Sequence, residues 1–195
     1  MDDLLHWILR DGPEPRTVQD ATFNPDRLDR LASRLSAAYK GINMLVLREG
    51  AADLFWKAKI QELDQEEIAL DIHHIFPQDW CEKQQPPIPR ATYNSIINKT
   101  PISYKANRMI GGSAPSAYLR KLQENKQVQL DDASMDRLLA SHRIPSHELR
   151  ADDFLGFYQA RKVPLLSLIE SVMGKTSPAG NDSDSLQPED SEMAA

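Results

Sequence analysis

Apolar residues recur at helical spacing in several stretches of this 195-residue chain. Between Pro25 and Gly41, residues Leu28, Leu31, Leu35, Ala38 and Tyr39 follow a 3.6-residue repeat, which predicts one amphipathic helix opened by Asn24-Pro25-Asp26 and stopped by Gly41. Ile42 to Leu47 is a short apolar run that suits either a second helix or a buried connection. The opening Leu4 to Leu9 predicts a brief helix ended by Gly12, Pro13 and Pro15. From Glu66 to Phe76 the period changes to two: Ile68, Leu70 and Ile72 alternate with Ala69, Asp71 and His73, which predicts a strand ending at Pro77. Trp80 to Arg90 contains Pro86, Pro87 and Pro89 and reads as an irregular loop, with a second β-like segment expected between Asn94 and Ile102, around Ile96 and Ile97. Ser103 is placed to cap a helix carrying Tyr104, Lys105, Asn107, Arg108 and Met109 and stopped by Gly111-Gly112. Further helices are expected from about Ala114 through Leu122, at Asp132 to Ser141, and at Asp152 to Met173, the last kinked by Pro164. Strand, loop, strand and helix with helical segments on both sides make an α+β protein that is mainly α. The corresponding boundaries are a helical segment at 1–60, a central unit at 61–126, C-terminal helices at 127–174 and a tail at 175–195.

Composition narrows the class. With 41% apolar and 27% charged residues the chain reads as a soluble globular protein, and no run approaches the ~20 apolar residues that span a bilayer. No membrane association is expected. The N-terminus lacks the basic and apolar regions of a secretion signal. The single cysteine, Cys81, cannot form an internal disulfide, so the cytoplasm is the default location. Net charge is −6, which argues against nucleic acid until it is divided along the chain. The tail carries Asp182, Asp184, Glu189, Asp190 and Glu192 against Lys175, and its Ser, Asp, Pro and Gly content predicts disorder. Between positions 99 and 126, Lys99, Lys105, Arg108, Arg120, Lys121 and Lys126 face one acid, Glu124. A local cationic surface therefore coexists with an acidic whole.

The chemistry concentrates in Asp71-Ile72-His73-His74-Ile75-Phe76-Pro77-Gln78. Adjacent histidines on a strand point to opposite faces and reach one site only where the strand ends or bends, as Pro77 favours. One imidazole could then hold a metal while the other takes a proton from water; the plainer alternative is two polar residues at a strand end. Asn98-Lys99-Thr100 and then Ala106-Asn107-Arg108 follow, placing one Asn near the second β-like segment and another on the helix. His6, His142 and His147 lack ligand spacing and read as structural or surface residues. Cys81 reads as a packed thiol. Trp7, Phe55, Trp56, Phe154, Phe157 and Tyr158 read as core.

In this order, DIHHIFP, INKTPIS and KANR resemble the His-Asn-His nucleases, whose ββα-metal finger clamps one divalent ion between a strand end and a helix. Over residues 1–174 the chain looks like the C-terminal half of the DUF262 and DUF1524 proteins, the GmrSD-like restriction endonucleases. Their N-terminal half, a ParB-like nucleotide-hydrolysing domain with an Asp-Gly-Gln-Gln-Arg signature, has no counterpart here. The resemblance implies a ββα-metal nuclease core within 61–126 and a metal-dependent DNA endonuclease of the restriction or antiviral-defence type. It implies His74 as general base, Asn98 as the residue holding the loop that orients it, and His73 and Asn107 as metal ligands. Asp71 is implied as an outer-shell or alternative ligand. Mg²⁺ or Mn²⁺ is the expected ion, with Zn²⁺ or Ni²⁺ also compatible with imidazole. Lys99, Lys105 and Arg108 are the candidates for phosphate contact. The expected partners are DNA and a separately encoded DUF262-type protein; a catalytically silent remnant that binds DNA or protein is the alternative.

Overall fold

The structure, a computed structural model, describes residues 2–10 and 12–177. The expected disordered tail lies outside the described residues from position 178 onward. Just before that, Lys175 donates to the carbonyls of Val18 and Gln19.

The chain opens with α1 (Asp2–Arg10) and α2 (Arg16–Gln19), followed by α3 (Arg27–Arg30) and α4 (Ala37–Arg48). The single helix expected between Pro25 and Gly41 is thus two. At Leu31 the backbone turns extended, and its carbonyl accepts the Ile96 N–H at 2.8 Å, so a tertiary hydrogen bond replaces a helical one. Leu28 and Leu31 are buried, whereas Leu35 is 77% exposed. Gly41 does not stop α4 but lies within it, and the apolar run Ile42 to Leu47 is helical.

The expected strand from Glu66 to Phe76 shrinks to β1 (Asp71–His74), preceded by the single-turn α5 (Gln65–Ile68). Ala69, at φ 45°, breaks the extended path between them. The proline-rich connector is also more regular than expected: Pro77 and Pro89 precede α6 (Gln78–Glu82) and α7 (Arg90–Tyr93), consistent with their fixed φ at a helix start. Ile96–Asn98 forms a 3₁₀ turn rather than a strand, and β2 follows as Lys99–Ile102. The two strands pair antiparallel, with Asp71 opposite Ile102, His73 opposite Thr100 and His74 opposite Lys99.

After β2, Ser103 caps α8 (Tyr104–Ile110) as its position implied, its side chain accepting the Ala106 N–H, and Gly111 ends the helix at φ 54°. The remaining helices are α9 (Pro115–Glu124), α10 (Asp132–Ser141), α11 (Ser146–Arg150) and α12 (Phe154–Met173). Asp131 and Asp153 cap α10 and α12 with their carboxylates, and Pro164 lies inside α12. Among the described residues the protein is mainly helical with one small antiparallel sheet. No helix among the described residues is long and apolar enough to cross a membrane.

One hydrophobic core draws on residues from Leu28 to Ile169, including Ile97, Tyr118, Leu139 and Phe157. Within it, Arg161 of α12 is 1% exposed and donates to main-chain carbonyls, at 2.5 Å to Ile97, 2.8 Å to Lys99 and 3.1 Å to His142. These bonds tie α12 to the backbone on both sides of Asn98.

Candidate functional site

β1 ends at His74, and the chain turns through Ile75 to Pro77 into α6. That turn is fixed from two sides. The buried amide of Asn98 accepts the Phe76 N–H at 2.8 Å and donates to the carbonyls of Phe76 and Tyr93 at 2.9 Å each. The buried Tyr118 hydroxyl donates to the Ile75 carbonyl at 3.0 Å. Because the strand stops here, His73 and His74 both line one cleft of about 200 Å³, together with Gln78, Asp79, Asn107, Gly111 and Gly112.

His74 Nε2 lies 3.3 Å from Asn94 Oδ1. The amide oxygen only accepts, so this contact puts the ring proton on Nε2 and leaves the lone pair on Nδ1. Burial, helped by the positive charge of Lys99, pushes His74 down to about 4, so the imidazole is neutral at physiological pH. His73 is also lowered by burial, against the opposing pull of Asp71. Asp71 Oδ2 faces His73 Nε2 at 3.6 Å, while its other oxygen takes the Arg34 guanidinium at 2.7 Å. Arg34 donates to the Ile72 carbonyl as well, at 2.5 Å. It lies in the break between α3 and α4, so the interruption that the repeat did not foretell supplies a brace for β1. A carboxylate facing Nε2 favours the proton there and leaves Nδ1 of His73 free to bind.

The expected residues fall into three groups. His73, His74 and Asn107 line the cleft. Asn98 is fully buried outside the lining and acts on backbone, which makes it a positioning residue rather than a catalytic one. Lys99, expected to contact phosphate together with Lys105 and Arg108, is only 5% exposed; its ammonium lies 5.6 Å from the centre of the Tyr39 ring, and burial lowers it to about 8. Lys105 and Arg108 are exposed on α8, Lys105 over the Trp56 ring and Arg108 over Tyr104.

Two residues of the site were missed. Asn94, the residue that touches His74, ends α7, and no spacing rule singled it out. Asp79 lines the cleft from α6 and packs on Gly112, where a Cβ would lie 3.0 Å from its Oδ2. Asp79 sits in the first turn of α6, a helix that runs into the stretch from Trp80 expected to be an irregular loop. Cys81 is buried, and burial pushes its thiol up to about 12, the state of a packed residue. His142 is buried, whereas the His147 side chain is 92% exposed.

Among the described residues no group of three or more His, Cys, Asp or Glu side chains is arranged to hold a metal. A site here would therefore depend on an amide ligand and on open positions for water and phosphate. The cleft fits that arrangement, since it combines a neutral imidazole, the side-chain oxygen of Asn107 and the Asp79 carboxylate.

No protein-family profile and no solved structure matches the chain. It is similar to an uncharacterized protein of Methanocaldococcus jannaschii, with 26% identity over 151 residues that make up 73% of this chain and 25% of that protein. The chain thus spans about a quarter of the length of that relative.

Proposed function

We propose that the protein is a metal-dependent DNA endonuclease with a ββα-metal site, of the kind found in restriction and antiviral defence. The observation that carries this reading is the convergence of His73, His74 and Asn107, from a strand end and the helix after the second strand, on one cleft. His73 and Asn107 would hold a divalent ion, Mg²⁺ or Mn²⁺ by preference. When bound, the ion would stabilise charge on the phosphate and the leaving oxygen. His74 supplies the proton acceptor: Asn94 fixes its Nε2–H, and Nδ1 takes the proton from the attacking water. Asn98 and Tyr118 keep the turn that aims the imidazole, while Arg34 and Asp71 steady His73. Lys105 and Arg108 provide phosphate contacts on the exposed side of α8. Lys99 sets the electrostatic surroundings of His74 rather than gripping the outer backbone. A separately encoded DUF262-type protein is the proposed partner.

The test is plasmid nicking with Mg²⁺, Mn²⁺ and Ni²⁺, beside the His74→Ala variant. Cleavage by the wild-type protein should fall about 10²- to 10⁴-fold in the variant. Equal cleavage by both would remove His74 from the chemistry, and binding without cleavage under every ion would favour the silent binding module.

A further inference from the structure

We propose that the exposed side of α8 is a base-stacking platform, on which Tyr104 and Arg108 hold an unpaired nucleotide beside the cleft. The proposal rests on the nuclease reading and specifies the form of nucleic acid that the site takes. Tyr104, Asn107 and Arg108 stand at i, i+3 and i+4 on α8, so they share one side of the helix. Asn107 lines the cleft, and Tyr104 and Arg108 lie within one helical turn of it. Tyr104 is 52% exposed, an unusual state for a large ring on a helix that buries Ala106 and Ile110. The Arg108 guanidinium carbon lies 5.6 Å from the ring centre, and Nη1 reaches the tyrosine hydroxyl at 3.5 Å. That contact steadies the ring at the surface.

Charge points to the occupant. α8 contains no acidic residue, and none of the ion pairs among the described residues involves Lys105 or Arg108. An aromatic face beside Arg108, a cation in no ion pair among the described residues, complements a base and its phosphate. In a duplex the base faces are covered by their neighbours, so the ring selects a single-stranded or frayed stretch.

Fluorescence anisotropy in EDTA, which stops metal-dependent cleavage, tests the platform on a labelled DNA single strand, its duplex and an abasic strand of equal length. Tyr104→Ala should weaken binding of the single strand about tenfold, whereas Tyr104→Phe should stay within about twofold of wild type. Binding of duplex and abasic strand should ignore Tyr104→Ala, and Arg108→Ala should weaken all three. Unchanged single-strand affinity in Tyr104→Ala, an equal loss on the abasic strand, or no binding of single strand by the wild-type protein would overturn the platform. Nicking activity in any of those cases leaves the nuclease reading standing; stacking without nicking removes the nuclease reading and keeps the platform.

Discussion

Two histidines touch the strand pair from different surroundings. His74 ends β1 and lines the cleft, while His142, which follows α10, is fully buried and bonded to Thr100 of β2. Burial pushes both down to about 4. Their ring nitrogens are used differently. His142 Nε2 donates to the Ala52 carbonyl at 2.8 Å and Nδ1 takes the Thr100 hydroxyl at 2.7 Å, which completes a neutral imidazole. Among the described residues His74 has one side-chain hydrogen-bond partner, Asn94, and it opens onto the cleft. A depressed basicity therefore does not separate a histidine proposed for chemistry from a structural one; a nitrogen left over for a ligand does.

Reciprocal variants give the sharpest way to break this comparison. His74→Ala should cost the 10²- to 10⁴-fold in cleavage stated above while moving the urea unfolding midpoint little. His142→Ala should do the opposite. It leaves the Thr100 hydroxyl and the Ala52 carbonyl without a buried partner and opens a cavity, for a loss of about 3 kcal/mol or more in unfolding free energy. If His142→Ala folds as stably as wild type, the structural role assigned to it is wrong.

A slightly smaller effect should follow from pH. In the unfolded chain His142 titrates near its ordinary ~6.5, whereas in the folded chain burial holds it at about 4. Between those values the unfolded chain takes up the proton first, so stability is level above about pH 6.5 and falls as pH drops toward 4. The complete shift corresponds to about 3 kcal/mol, and His74 adds in the same direction. Urea titrations from pH 7 to 4 without added metal should show this slope, and His142→Gln should flatten it. An unaltered slope in that variant would assign the proton uptake elsewhere.

The smallest effect is expected at the brace of β1. Asp71→Asn removes the carboxylate that faces His73 and the ion pair to Arg34, and should weaken Mn²⁺ or Ni²⁺ binding by about 10- to 100-fold in calorimetry. Equal affinity would mean that His73 keeps its orientation without Asp71. The ion pair itself is half exposed, so little change in folding stability should accompany the loss.

Much of the site was legible because its parts are local. Ser103 as a cap and Gly111 as a stop follow from backbone preferences, and they suffice to place Asn107 on a helix; the strand expected to run up to Pro77 ends earlier, at His74. Asn94 and Arg34 were not legible, since each reaches its partner across 20 or more positions through folds of the chain that carry no periodic signal. The split between exposed Lys105 and Arg108 and buried Lys99 was hidden for a related reason. A charge count sees three bases within ten positions, but burial depends on which side of β2 and α8 each side chain leaves.

The sequence by itself determined the class of the fold and most helix boundaries after position 103, because capping residues and helical repeats act within a few neighbours. It also brought the histidine pair and Asn107 to notice. Tertiary structure decided the break after Arg30, the short length of β1 and the 3₁₀ turn at Ile96. There the backbone groups of Leu31 and Ile97 bond to Ile96 and Arg161, partners far away in the chain. Local preference differs by only a fraction of a kcal/mol per residue, and a buried hydrogen bond left unmade costs more than that.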